Sequence, residues 1–141
     1  MTFLIHYYYG SSFLAFQTGL GTIIRAAGHG KNILIFVIDD SLVWVNDLKD
    51  NQELQFDIIS AEKNKNYQDI ILKKILAVRN YVCLIANIDL LIEKDVLAIP
   101  ELVEFIQSIN GKNEVIFTSS SYYPEIESLA DYVSSFRIND V

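Results

Sequence analysis

Apolar residues along this chain fall into two alternating patterns. Short, continuously apolar runs rich in β-branched residues are separated by longer stretches in which apolar residues return every three or four positions. The first pattern marks a strand buried on both faces, and the second a helix with one face on a core. Their alternation predicts an α/β fold with a mostly parallel sheet flanked by helices on both sides.

The expected strands are residues 3–9, 33–38, 54–59, 81–86 and 115–118, with a weaker edge strand at 132–138. Gly10 lets the chain turn without a Cβ penalty after the first strand, and a helix follows at once. Its expected core stripe is Phe13, Phe16, Leu20, Ile23, Ile24 and Ala27, and Gly28 and Gly30 stop it. A second helix, after a polar loop at 60–66, carries Tyr67, Ile71, Ile75 and Val78 on one side. Pro100 suits the first turn of a third, Glu101 and Glu104 favour its N-terminal end, and Gly111 its stop. Residues 124–130 read as a short helix. Within residues 41–53, Leu42 to Val45 fits an extra strand, a helix start or a flap.

Composition narrows the functional classes. At 141 residues the chain suits one domain, and a hydrophobic content of 51% is far from that of a disordered chain. Net charge is −7, and the 11 basic residues form no cluster that would track a nucleic-acid backbone, so nucleic acid is not an expected partner. No apolar run approaches the ~20 residues of a membrane span. The N-terminus shows no basic region of a secretory signal, which predicts a soluble, cytoplasmic protein with no membrane partner. Cys83 is the only cysteine, which removes internal disulfides and cysteine-rich zinc sites; it reads as a small core residue.

In open α/β sheets ligands sit at the carboxyl ends of the strands, so the turn out of the first strand is the first place to look. There Gly10, Ser11 and Ser12 open a helix. They would bind an anion through backbone N–H groups, or Ser11 or Ser12 simply caps the helix. Neither Gly19-x-Gly21 nor Gly28-x-Gly30 follows a strand and opens a helix, so neither is a dinucleotide fingerprint. His6 and His29 have no ligand partner at metal-binding spacing, and no Ser-His-Asp or Cys-His set can be assembled. Asp39, Asp40, Asp47, Asp50 and Glu53 read as solvated loops, with a divalent cation at Asp39 and Asp40 as the alternative.

Three stretches resemble one family. Arg25-Ala26-Ala27-Gly28-His29-Gly30-Lys31-Asn32-Ile33-Leu34-Ile35 looks like the RAAGHG-plus-strand signature of the P-loop corrinoid adenosyltransferases. Leu4 to Gly10 resembles the strand entering that family's P-loop. Val115-Ile116-Phe117-Thr118, followed by Pro124 to Val133, resembles its VVLTGR…PPELIELADLV segment. The resemblance covers most of the chain, with 41–80 matching in outline. It implies a three-layer P-loop NTPase-like (RecA-like) fold and transfer of the adenosyl group of ATP to a reduced corrinoid's cobalt.

The chemistry does not carry over with the scaffold. The family's GDGKGKTT falls on Gly10, Ser11, Ser12, Phe13, Leu14, Ala15, Phe16 and Gln17, so Ala15 and Phe16 replace the lysine that neutralises phosphate and the threonine that ligates magnesium. Residues 1–24 contain no Lys, Arg, Asp or Glu. The acidic pair after the fourth strand falls on Ala86 and Asn87, with Asp89 two residues on and expected to point elsewhere. The lysine-bearing turn after strand two reads Val37-Ile38-Asp39-Asp40-Ser41, and the family's TGR reads Thr118-Ser119-Ser120. Phe13 and Phe16 either fill the vacated pocket or belong to the core.

The expectation is therefore a corrinoid adenosyltransferase-like protein with degraded ATP and magnesium sites, a non-catalytic binding or assembly module. It has no catalytic residue, no metal ligand and no expected cofactor; Gly10, Ser11 and Ser12 are a vestigial phosphate loop. ATP, magnesium and corrinoid are implied by the resemblance alone. The alternative is an active ATP:cob(I)alamin adenosyltransferase that binds nucleotide in an altered mode or completes its site with a partner subunit. The family's tendency to dimerise implies a homodimer, or a heterodimer with an intact paralogue, using aromatics such as Trp44, Tyr122 or Tyr123.

Overall fold

The computed structural model describes residues 4–38, 57–59, 67–93, 97–109 and 111–137, without the side chains of residues 12, 13, 57–59, 67 and 68. Among the described residues six strands form one sheet: β1 (Ile5–Gly10), β2 (Ile33–Ile38), β3 (Asp57–Ile59), β4 (Val82–Ala86), β5 (Glu114–Ser119) and β6 (Tyr132–Phe136). Their order is β3-β2-β4-β5-β1-β6, and every neighbouring pair is parallel. The described helices are α1 (Ser12–Gly28), α2 (Tyr67–Leu76), α3 (Asp89–Glu93), α4 (Ile99–Ile109) and α5 (Pro124–Glu127). The α/β alternation expected from the apolar pattern is thus present, with all strands parallel. Residues 39–56 and 60–66, including Trp44 and the acidic groups after β2, lie outside the described residues.

Burial explains why three strands were so legible. β4 is buried at every position, and β2 and β5 at all but their first one or two residues. A strand covered on both faces loses the polar alternation of a one-sided sheet. One core joins Tyr7, Phe36, Ile38, Cys83, Ile85, Val115 and Phe117 to side chains of α2, α3, α4 and α5. The other joins Ile35, Val37, Leu84, Ala86 and Ile116 to Phe16 and Ile23 of α1. Four helices therefore share one face of the sheet with the first core, and α1 lies on the opposite face.

The stripe of α1 differs from the expected one. Ala15, Phe16 and Ile23 are buried, but Ile24 is 44% exposed and Ala27 is exposed. At 3.6 residues per turn Ile24 lies about 80° round the helix from Phe16, beyond the arc that meets the sheet. Gly19 occupies the line of closest approach: a Cβ there would lie 2.9 Å from Leu84 Cδ1 and 3.2 Å from Thr118 Cγ2. The glycine lets α1 sit down on β4 and β5.

At the opposite end of the sheet, Asn113 links three elements while 1% exposed. Its Oδ1 accepts from the Tyr81 amide at 2.9 Å, and its Nδ2 donates to the carbonyls of Ile75 at 3.2 Å and Val78 at 3.0 Å. One side chain thus closes the last turn of α2 onto the starts of β4 and β5. Basic residues gather at this amino edge: Arg25 in the last turn of α1, then Lys31, Arg79 and Lys112 shortly after α1, α2 and α4. Cations there complement the negative ends of the helix dipoles.

Candidate functional site

The turn from β1 into α1 is a single residue long. β1 runs to Gly10, Ser11 is the N-cap, and α1 begins at Ser12. The Ser11 amide donates to the Phe136 carbonyl at 2.8 Å, the Ala15 amide closes the first helical turn on the Ser11 carbonyl at 2.8 Å, and the Ser11 hydroxyl accepts from the Leu14 amide at 3.5 Å. Gly10 has φ +116°, and a Cβ on it would lie 2.0 Å from the Phe136 oxygen. The space beside Gly10 is therefore filled by the backbone of β6, which pairs Phe136 with Gly10 in register.

A phosphate cradle needs several successive amides converging on one point. Here the Ser11 amide is taken by the Phe136 carbonyl of β6 and the Leu14 amide by the Ser11 hydroxyl, which caps the helix. Ala15 and Phe16, which the resemblance aligns with a lysine and a threonine, are 0% and 2% exposed and belong to the core. The side chains of Ser12 and Phe13 lie outside the described residues.

The ends of β4 and β5 meet in a second polar cluster. Asn87 adopts φ +65°, a conformation that Asn tolerates better than most residues, and is buried. Its amide donates to Thr118 Oγ1 at 2.9 Å and its Nδ2 to the Ile38 carbonyl at 3.2 Å, so it ties together the ends of β2, β4 and β5. Ala86 packs in the α1-side core. The two positions that the resemblance aligns with an acidic pair thus hold a core methyl and an uncharged bridge.

Asp89, two residues further, opens α3 with its carboxylate 4% exposed. Its Oδ2 accepts from Ser120 Oγ, and its Oδ1 is buried without a hydrogen-bond partner. The carboxylate expected to point elsewhere is held at the junction of β4 and β5. In the turn after β5, Ser119 Oγ donates to the Ser121 carbonyl at 2.8 Å and accepts from the Ser121 amide at 3.2 Å. Tyr7, on β1, donates its hydroxyl to the same carbonyl at 3.0 Å and accepts from the Tyr123 amide at 3.0 Å. Burial raises the Tyr7 phenol to about 12, so it stays a neutral hydrogen-bonding group. Burial also raises Tyr123; a hydrogen bond from Ser121 opposes the shift, and the negative charges of Asp89 and Glu93 add to it.

Electrostatics set the limits on this crevice. The described turns after β1, β4 and β5 contain no lysine or arginine, and the first cation beyond a strand's carboxyl end is the exposed Arg137, directly after β6. Apart from Arg137, the described turns at the carboxyl ends offer carboxylate and hydroxyl oxygen, and basic side chains gather at the amino edge.

The remaining candidates sit elsewhere. His6 Nε2 lies 2.7 Å from Glu114 Oε1 and its ring stacks on Tyr132 at 5.3 Å between centroids. This carboxylate partner, 108 residues away, has no motif spacing and escapes sequence reading. His29 is exposed, and its amide caps α1 through the Arg25 and Ala26 carbonyls. Cys83 is fully buried, and burial raises its thiol to about 12, which leaves it inert. Among the described residues no group of three or more His, Cys, Asp or Glu is placed to hold a metal ion, and no helix is long and apolar enough to cross a membrane. Comparison with known proteins adds no family assignment: no family model matches the chain, and no curated protein is significantly similar to it.

Proposed function

We propose that this protein is a non-catalytic relative of the P-loop corrinoid adenosyltransferases, a cytoplasmic binding or assembly module that keeps a P-loop NTPase-like scaffold without its ATP chemistry. The observation that carries the reading is the one-residue turn after β1, closed by the Phe136 carbonyl and followed by Ala15 and Phe16 in the core. Each charge-assisted contact to phosphate contributes ~1.5–3 kcal/mol, so loss of the lysine and threonine contacts alone lowers nucleotide affinity on the order of 10²–10⁴-fold. Asn87 and Ala86, in place of the acidic pair, remove the group that would orient a metal's water shell.

Assembly with another subunit is favoured by the exposed side chains on and near β6. Tyr132, Val133 and Tyr122 are 55%, 37% and 47% exposed, and β6 is an edge strand with no lysine or proline to block pairing. Tyr123, by contrast, is half-buried. The partner on this reading is a second copy or an intact paralogue, and a bound corrinoid is compatible with it. A turnover assay with Mg-ATP and reduced corrinoid should give no cobalt–carbon bond from the chain alone. Alkylcorrinoid formed at the rate of an active homologue would instead make it an adenosyltransferase with an altered nucleotide mode.

A further inference from the structure

We propose that Asp89, with Glu93 and the Ser119–Ser121 turn, forms a site for a hard divalent cation, Mg²⁺ or Ca²⁺, at the carboxyl ends of β4 and β5. Asp89 is 4% exposed, its Oδ1 is buried without a partner, and its Oδ2 accepts a single hydrogen bond, from Ser120. Among the described residues it takes part in no ion pair. A carboxylate withdrawn from water with one oxygen unsatisfied is costly unless a positive charge stands beside it. No lysine or arginine occurs in the adjoining turns after β1, β4 and β5.

The surroundings select the kind of cation. Glu93 lies four residues after Asp89 on α3, hence on the same face of the helix, and the Tyr123 phenol senses both charges. Two like charges at that spacing repel unless something lies between or beside them. The group held against Asp89 is an oxygen, the Ser120 hydroxyl, and the turn that carries it supplies further oxygens at Ser119 and Ser121. No histidine or cysteine belongs to the cluster, which disfavours zinc and other soft metals and suits a cation that keeps several waters on one or two carboxylates. This site is separate from the nucleotide-bound magnesium implied by the resemblance, which would require acids at Ala86 and Asn87 and a triphosphate. It stands whether or not the proposed function does.

The test uses the full chain freed of metal with a chelator. Thermal melts are taken with and without roughly millimolar Mg²⁺ or Ca²⁺, alongside terbium luminescence sensitised by nearby tyrosine, with Mg²⁺ and Ca²⁺ as competitors. The expected result is a melting temperature raised by a few degrees and a saturable terbium signal displaced by Ca²⁺ or Mg²⁺. Asp89→Asn should weaken binding by about tenfold or more and, without metal, melt at or above the wild-type temperature, because an uncompensated charge has gone. Glu93→Gln, at an exposed position, tests the same site if Asp89→Asn does not fold, and should weaken binding severalfold. Identical melts with and without cation, as expected if a buried water satisfies Oδ1, would overturn the proposal. So would terbium binding unchanged in both variants.

Discussion

Gly10→Ala is expected to destabilise the protein by about 2–4 kcal/mol and to loosen β6 before the rest of the sheet. Two effects combine. An L-residue at φ +116° is strained by ~1–3 kcal/mol, and the added Cβ would lie 2.0 Å from the Phe136 oxygen. Relief requires β6 to move, which breaks the Ser11–Phe136 hydrogen bond, a further loss of about 1 kcal/mol. Thermal unfolding should shift down by roughly 10 °C, and hydrogen exchange should show the amides that pair β1 with β6 opening first. Gly21→Ala is the control: nothing lies within 4 Å of a Cβ there, so the substitution in α1 should be neutral or slightly stabilising. Equal melting temperatures for Gly10→Ala and wild type would mean that the closed turn is not as described.

Asn113→Ala should cost about 3 kcal/mol at a position with no place in the candidate site. The substitution leaves the Tyr81 amide and the Val78 carbonyl without their partner, while the Ile75 carbonyl keeps the Val78 amide. Each buried polar group left unpaired costs ~1–3 kcal/mol, less where water can follow it in. Urea unfolding should show a lower midpoint with an unchanged slope, the signature of lost stability without a change in the surface exposed. Asn113→Asp should be worse than Ala, since it retains the acceptor for Tyr81 but turns a negative oxygen toward two carbonyls. A change within about 0.5 kcal/mol, typical of surface substitutions, would contradict the bridging role.

The chain's own pattern discloses some of this architecture and hides the rest, for identifiable reasons. β2, β4 and β5 were legible because burial on both faces makes the whole run apolar, and α4 because Pro100 and Gly111 bracket a clean periodicity. The strand order β3-β2-β4-β5-β1-β6 was not legible, since it depends on pairings such as Ile5 with Val115 across more than a hundred residues. α3 escaped because five residues are too short for periodicity and the turn before it rests on one positive φ, at Asn87. At the candidate site, the lack of any Lys, Arg, Asp or Glu in residues 1–24 could be read directly from the residues. The closure of the turn by Phe136 could not, because it is a backbone contact from a strand 126 positions later in register. The hydrogen bond that holds Asp89 likewise comes from Ser120, 31 residues away.

Charge placement connects the fold to the functional reading. Cations at the amino edge settle helix C-termini and contribute to stability, while the carboxyl ends, where a parallel sheet offers its ligand crevice, present Asp89, Glu93 and a row of hydroxyls. A polyphosphate approaching that crevice meets the like charge of Asp89 and Glu93, and the amides of Ser11 and Leu14 already engaged. A cation or a neutral partner surface does not.

Isothermal titration calorimetry of the metal-loaded protein with Mg-ATP tests this most directly. The predicted trace shows heats of dilution only, up to roughly millimolar nucleotide, because the amides of Ser11 and Leu14 are engaged and no basic side chain stands in the turn. A one-to-one isotherm with micromolar affinity, weakened by substitution at Ser11, would contradict it and restore the turn after β1 as a nucleotide site.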